Sequence, residues 1–125
     1  MPCTDEIFSV DSMTVNGEEQ SIESGTATIT GAAGFENEAA LAASGTDAAI
    51  RKRVERNINA NILFTEKVTP GKYTAMCNVQ VVLTNKHTGQ RVRAGNCRFK
   101  SLGDIGSKTV ELSLIALTEF QWLQS

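Results

Sequence analysis

Short segments in which apolar and polar residues alternate recur along this 125-residue chain, and this pattern constrains its fold more than any other feature. Successive side chains of a strand point to opposite faces, so a period of two predicts strands with one buried face. The clearest case is a hairpin that returns through a turn at residues 86–89 and whose apolar positions are Val79, Val81, Leu83, Val92, Ala94, Cys97 and Phe99. A four-residue loop pairs Leu83 with Val92 and Val81 with Ala94.

Other segments give the same signal. Residues 6–15 predict a strand whose alternation slips once, between Val10 and Met13. It ends at a tight Asn16-Gly17 turn, because Asn and Gly tolerate positive φ. Further strands are expected at 26–30, 58–64 and 110–117. Thr69-Pro70 is a typical helix start, which predicts a short helix over residues 70–76. The fold class is therefore mainly β, with one short helix.

Residues 31–57 interrupt the alternation. They hold eight of the thirteen alanines, three glycines and the basic cluster Arg51, Lys52, Arg53 and Arg56. A helix over residues 37–43 is compatible with this composition, but the surrounding Gly and Ser favour a long loop. Loops of this length inside a small domain usually serve as lids or binding arms.

The charge is divided between two parts of the chain. The nine acidic residues up to Asp47 occur without a Lys or Arg, whereas twelve basic and five acidic residues follow, for a net charge of −2. A net negative chain is not a typical general DNA binder. The basic cluster lacks interleaved aromatic residues, so it is either a solvated loop or a contact for an acidic protein surface. The acidic part of a second copy is one such surface, and joining two different patches makes a heterologous contact that closes into a ring or extends as a filament.

Three cysteines, Cys3, Cys77 and Cys97, lack the spacing of a disulfide scaffold or a zinc site. The uninterrupted hairpin register puts Cys77 opposite Arg98, whereas a bulge at Gly95 would place Cys77 opposite Cys97 on the inner face. Those two thiols then act either as buried reduced side chains or as disulfide partners. Cys3, in a terminal segment, is the candidate for a disulfide to another molecule.

Catalytic motifs are absent from the sequence. There is one histidine, His87, in a predicted turn, and no GxSxG, P-loop or GxGxxG motif occurs. Acidic pairs such as Glu36 and Glu38 lie in polar sequence, where a solvated face is the ordinary interpretation. We therefore expect no enzymatic activity, no metal and no cofactor. The acidic start and the short apolar runs predict neither an export signal nor membrane insertion, and hence synthesis in a cytoplasm.

The order of these elements resembles that of phage tail tube proteins of the contractile-tail type, a family related to bacteriocin and type VI secretion tubes. The resemblance spans nearly the whole chain and rests on a strand ending in Val-Asn-Gly, a threonine-rich strand, a long charged loop, the strand at 58–64, the short helix, the 79–99 hairpin and a long closing strand. It implies one domain over residues 1–125, folded as a two-sheet sandwich or partial barrel with a flanking helix and a long inserted loop.

The resemblance also implies a function. Copies would form hexameric rings that stack into the hollow tube of a virion tail, made in the bacterial host cytoplasm, through which DNA passes without specific binding. Sheath, baseplate and tail-terminator proteins would be further partners, and the loop at 31–57 would contact neighbouring subunits. An assembly would also cover the apolar residues Ile115, Leu117 and Trp122. The alternative is a small β-sandwich adaptor or carbohydrate-binding module, which needs an exposed aromatic platform that seven aromatic residues hardly supply.

Overall fold

The computed structural model describes residues 6–65, 68–106 and 108–123. Within them the chain is mainly β, with two sheets and a single short helix, which confirms the predicted fold class. The elements in chain order are β1 (Ser12–Val15), β2 (Glu18–Gln20), β3 (Thr28–Thr30), β4 (Phe35–Ala40), β5 (Ala48–Arg53), β6 (Arg56–Leu63), α1 (Pro70–Thr74), β7 (Val79–Thr84), β8 (Arg91–Leu102), β9 (Thr109–Ala116) and β10 (Phe120–Leu123).

Eight strands form one sheet in the order β2-β1-β7-β8-β9-β6-β3, with β10 paired to β8. We call this sheet together with α1 the body. Antiparallel pairing of β6 with β9 sets Ile58 opposite Leu114 and Ala60 opposite Leu112. These side chains are buried, as the alternation predicted, while Asn57, Asn59 and Asn61 lie between them on the outer face and are half-buried. On that outer face Ser113 donates a hydrogen bond to Asn59 at 2.8 Å.

The hairpin of β7 and β8 has the predicted register over its outer half, where Leu83 faces Val92 and Val81 faces Ala94. The register shifts between Val79 and Val81, so a bulge is present, and the extra residue lies on β8, the strand that contains Gly95. Cys97 therefore faces Val79, and the predicted juxtaposition with Cys77 is wrong. The extra residue shifts every β8 residue after it by one position toward the turn relative to β7. Cys97 therefore moves away from Cys77.

Helix α1 begins at Pro70, as predicted, and ends at Thr74, two residues before the predicted end. Thr69 occupies the N-cap position, but its side chain makes no cap hydrogen bond. The helix is anchored by Tyr73, whose buried hydroxyl donates to Gln20 Oε1 at 3.3 Å. Burial raises the pKa of Tyr73, so this hydroxyl keeps its proton and its role as donor.

Residues 31–57 are the main departure from expectation in local structure. Neither a helix at 37–43 nor an irregular loop forms, because β4 and β5 pair with each other over six residues and satisfy their backbone groups in a hairpin. This hairpin is the second sheet. β10 was also not predicted as a strand; it continues the course of β9 along β8, with Phe120 opposite Ala94.

Candidate assembly interface

The hairpin of β4 and β5 with its connecting loop, residues 35–53, is here called the arm. Every arm residue is exposed except Ala40, which is half-buried. Apart from marginal contacts, no described strand or helix of the body packs against β4 or β5. A protein surface formed by two strands with solvent on both faces is unusual, since a sheet normally buries at least one face.

The pairing register divides the arm into two chemically different faces. Residues directly opposite each other in an antiparallel pair share a face, and neighbours along a strand alternate. The face we call the basic face carries Phe35, Asn37, Ala39, Ala49, Arg51 and Arg53. The face we call the acidic face carries Glu36, Glu38, Ala40, Ala48, Ile50 and Lys52.

On the basic face the Arg51 guanidinium lies over the Phe35 ring, 3.9 Å from its centroid. Arg53 and Arg56 join Arg51 around a cleft of about 270 Å³, in which Glu119 is the one acidic lining residue. Arg56 Nε is buried and has no hydrogen-bond acceptor among the described residues. The cleft therefore carries more positive than negative charge and has donors available for an anionic group.

The acidic face has its own internal ion pair, between Lys52 and Glu38. Glu36 has no ion-pair partner in the described parts of the chain. Beside these charges Ile50 is half exposed, and at the arm tip Leu41 is 79% exposed. This face therefore combines net negative charge with apolar surface that the described residues leave uncovered.

Two glycines fix where the arm leaves the body. Gly31 and Gly34 have φ of 67° and 78°, a region that L side chains rarely adopt. A Cβ at Gly31 would overlap the carbonyl oxygen of Glu55, and a Cβ at Gly34 would overlap the Arg56 guanidinium. Val54 N donates to Gly34 O at 3.0 Å, which closes the base of the arm.

The sequence-predicted interface residues are partly brought together. Arg51, Arg53 and Arg56 meet at the cleft, whereas Lys52 points to the opposite face of the arm. Arg56 also pairs with Ala116, which places the half-buried Ile115 and the 54% exposed Leu117 beside the base of the arm. The basic cluster is thus two features on two faces rather than one patch.

Trp122 lies apart, in an apolar groove of about 370 Å³. Its ring contacts Phe8 edge to face, with centroids 5.3 Å apart, and β3 and Ala32 at the base of the arm complete the lining. Trp122 remains 48% exposed. The T-shaped contact does not form the flat aromatic platform that a carbohydrate-binding module would use.

The cysteines give no disulfide in the described chain. Cys77 is exposed and Cys97 is buried, and both are free thiols, while Cys3 lies outside the described residues. Burial raises the pKa of the Cys97 thiol from 9.0 to about 11, which disfavours its reactive thiolate. Within the described ranges no group of three His, Cys, Asp or Glu could hold a metal ion, and no helix is long and apolar enough to cross a membrane.

Sequence reasoning missed the acidic face. Glu36 and Glu38 were interpreted as solvated, and Phe35 and Glu119 were not considered as site residues. A signal was present, because Glu36 and Glu38 on one side and Arg51 and Arg53 on the other alternate with a period of two. The periodicity lies in charge instead of hydrophobicity, as expected for strands that bury neither face in their own chain.

Comparison with protein-family models and with curated proteins found no match. Among solved structures, the chain is similar to the sheath/tube terminator of an extracellular contractile injection system (PVC, extended state), with a TM-score of 0.60 and 13% identity over 97% of this chain and 99% of that one. It is similar to the anti-feeding prophage cap, which terminates the tube, with a TM-score of 0.58 and 14% identity over the full length of both chains.

A chain of the PVC sheath-tube complex is also similar, with a TM-score of 0.56 and 14% identity over 91% of this chain and 88% of that one. At such low identity the likeness establishes a shared fold. The chain therefore has the fold found in structural components of contractile injection systems, along essentially its whole length.

Proposed function

We propose that this protein is a ring-forming structural subunit of a contractile-tail machine, located where the tube ends, as a terminator or cap. The observation that carries the proposal is the end-to-end fold match to a tube terminator and to a tube-terminating cap. The role is structural and requires no catalysis.

The surface of the chain supports self-association. Apart from the cleft that Arg51 and Arg53 share with Arg56 and Glu119, the arm makes only marginal contacts with the strands and helix of the body. Leu117 and Trp122 expose large apolar side chains near the arm base and in the adjoining groove. Exposed apolar residues beside charged groups are typical of protein interfaces. The predicted interface residues Arg51, Arg53, Arg56, Ile115, Leu117 and Trp122 belong to this proposal, and Lys52 joins them from the opposite face of the arm.

A tube subunit in stacked hexameric rings is the second candidate. The match to a chain of the sheath-tube complex favours it, although that match covers less of both chains. In either role the neighbours would be further copies, tube and sheath proteins of a virion-like tail. Passage of DNA through the lumen stays a prediction from the family resemblance.

Electron microscopy of the purified protein, combined with sedimentation over a range of concentrations, tests the proposal. A terminator or cap is expected to form discrete rings of one size that do not extend. Long tubes of uniform width would instead identify a tube subunit. Monomers at every concentration, at both low and high salt, would contradict both roles.

A further inference from the structure

We infer that neighbouring copies contact each other by stacking their arms, with the basic face of one arm on the acidic face of the next. The inference rests on the proposed self-assembly and names its contact. The occupant of each arm face is thus a second copy of this chain, and the partner of Arg51 and Arg53 is the pair Glu36 and Glu38 of the neighbouring arm.

Charge complementarity is the first support. Among the arm residues, the basic face carries Arg51 and Arg53 and no acidic residue, whereas the acidic face carries two glutamates against one lysine. Glu119 of the body lines the cleft beside Arg51 and Arg53 and offsets part of their positive charge, but Arg56 in the same cleft keeps the balance positive. Basic on basic would place like charges together and is disfavoured, while basic on acidic pairs opposite charges. The arm therefore specifies one stacking direction.

The charges are available for such a contact. Neither Arg51 nor Arg53 has an ion-pair partner among the residues described, and neither has Glu36, while Lys52 compensates only Glu38. The Phe35 ring orients the Arg51 guanidinium on the basic face. An oriented planar guanidinium is suited to bidentate hydrogen bonds with a carboxylate.

The shape of the arm is the second support. Toward the tip both faces become small, with Ala39 opposite Ala49 on the basic face and Ala40 opposite Ala48 on the acidic face. Stacked sheets lie about 10 Å apart, and small side chains permit that approach. Stacking would also cover Ile50, which is half exposed on the acidic face.

The symmetry of the assembly follows from the two different faces of the arm. Each arm offers two different surfaces, so the contact is heterologous, and every copy uses both surfaces once in a closed ring. This agrees with the ring-forming role, in which no arm face is left uncovered.

Paired charge reversals test the inference. Arg51→Glu with Arg53→Glu makes both faces acidic, and Glu36→Lys with Glu38→Lys makes both faces basic, so each double variant alone is expected to lose roughly tenfold or more in association. When the two variants are mixed in equal amounts, an acidic face of one variant can meet a basic face of the other at every contact. Rings of alternating subunits should then form, and mass photometry of the mixture should recover the wild-type ring mass.

Lys52→Glu is the matched control. It changes the charge by the same amount as Arg51→Glu at the adjacent residue, but it lies on the acidic face and makes that face more negative, so association with the neighbouring basic face should be strengthened. Both double variants and the control should keep the wild-type melting temperature of the monomer within a few degrees, because substitutions of exposed residues usually change stability little.

Three outcomes would overturn the inference while wild-type protein forms rings. These are undiminished assembly after the Glu36 and Glu38 reversals, failure of the mixed variants to assemble, and equal loss from Lys52→Glu and Arg51→Glu. If wild-type protein forms no ring at all, the proposed function itself fails, so the two failures are distinguishable.

Discussion

The body and the arm are built from strands of similar length, yet they bury very different surfaces. In the body, β6 and β9 pair along eight residues each, and every second side chain enters a dense apolar core. In the arm, β4 and β5 pair along six residues each and bury neither face. A lone two-stranded hairpin is marginal in water. The difference shows that the body buries its apolar surface within its own chain, whereas the arm is the part that the proposed assembly would complete.

The largest expected difference in the free energy of unfolding is between a side-chain truncation in the body and one in the arm. Leu112 is 1% exposed, and Leu112→Ala should cost about 3 kcal/mol, because burial is lost and a cavity remains. Ile50→Ala on the arm should change the unfolding free energy of the monomer by less than about 0.5 kcal/mol. Urea denaturation of both variants measures this. A comparable cost at Ile50 would show that the arm packs on its own body.

Thiol labelling sharpens the same comparison. In a Cys3→Ser, Cys77→Ser background, the buried Cys97 should react with iodoacetamide at least about a hundredfold more slowly than a cysteine placed on the arm by Ile50→Cys. In assembled protein the Ile50→Cys thiol should become protected as well. Equal rates for the two thiols in the monomer would contradict the burial difference.

Cys97 also predicts a pH dependence of stability. Its folded pKa of about 11 lies above the unfolded value of 9.0, so above pH 9 the unfolded chain releases the proton more readily. The contribution of Cys97 to stability should therefore fall as pH rises from about 9 to 11. Urea titrations across this range, with Cys97→Ala as control, measure it, and a Cys97-dependent increase in stability would contradict it.

The junction of the two regions should be sensitive to a single methyl group. Gly31→Ala adds a Cβ against the Glu55 carbonyl at a positive φ, which should cost about 1–3 kcal/mol. Gly45→Ala in the arm loop has an equally positive φ but open space around it, so only the backbone cost of about 1 kcal/mol applies. The free energies of unfolding of the Gly31→Ala and Gly45→Ala variants, from denaturant titrations, and the hydrogen-exchange rates of residues 35–53 compare the two substitutions. Equal effects would contradict a tightly packed arm base.

The smallest expected effect on the free energy of unfolding comes from removing one exposed ion pair in each region. Lys72 pairs with Glu18 in the body at 2.8 Å, and Lys52 pairs with Glu38 on the arm. Lys72→Met and Lys52→Met should each cost less than about 1 kcal/mol, since both pairs are solvated. The hydrogen bond to Glu18 raises the pKa of Lys72, so its small contribution should persist below pH 10.5 and disappear as pH rises through the raised pKa. Thermal melts at pH 7 and pH 11 test this.

The sequence predicts the body better than the arm for a physical reason. The pairs Leu83 with Val92 and Val81 with Ala94 follow from hydrophobic alternation, because burial of one face selects the register. The Asn16-Gly17 turn follows from the positive φ that both residues adopt. The pairing beyond the bulge was predicted wrongly, because an extra residue on β8 moves Cys97 toward the turn and opposite Val79, away from Cys77.

The arm escaped prediction because none of the residues that the structure describes buries either of its faces. Alanine is a poor strand former, and the run from Ala39 to Ala49 gives no apolar face by which a strand could be recognised. Arg51, Arg53 and Arg56 were identified as interface candidates from their charge, and the structure groups them. Lys52 could be assigned to the other face only once the pairing with Glu36 was known.

Removal of the arm tests the central claim, that the arm connects copies of this protein. The ends of the arm are close, since Val54 N donates to Gly34 O at 3.0 Å, so a short Gly-Ser linker can replace residues 35–53. Analytical ultracentrifugation of this variant beside the wild type is the measurement. We predict that the shortened chain keeps its cooperative melt and sediments as a monomer at concentrations where the wild type forms rings. Rings formed by the armless chain with wild-type affinity would contradict the claim.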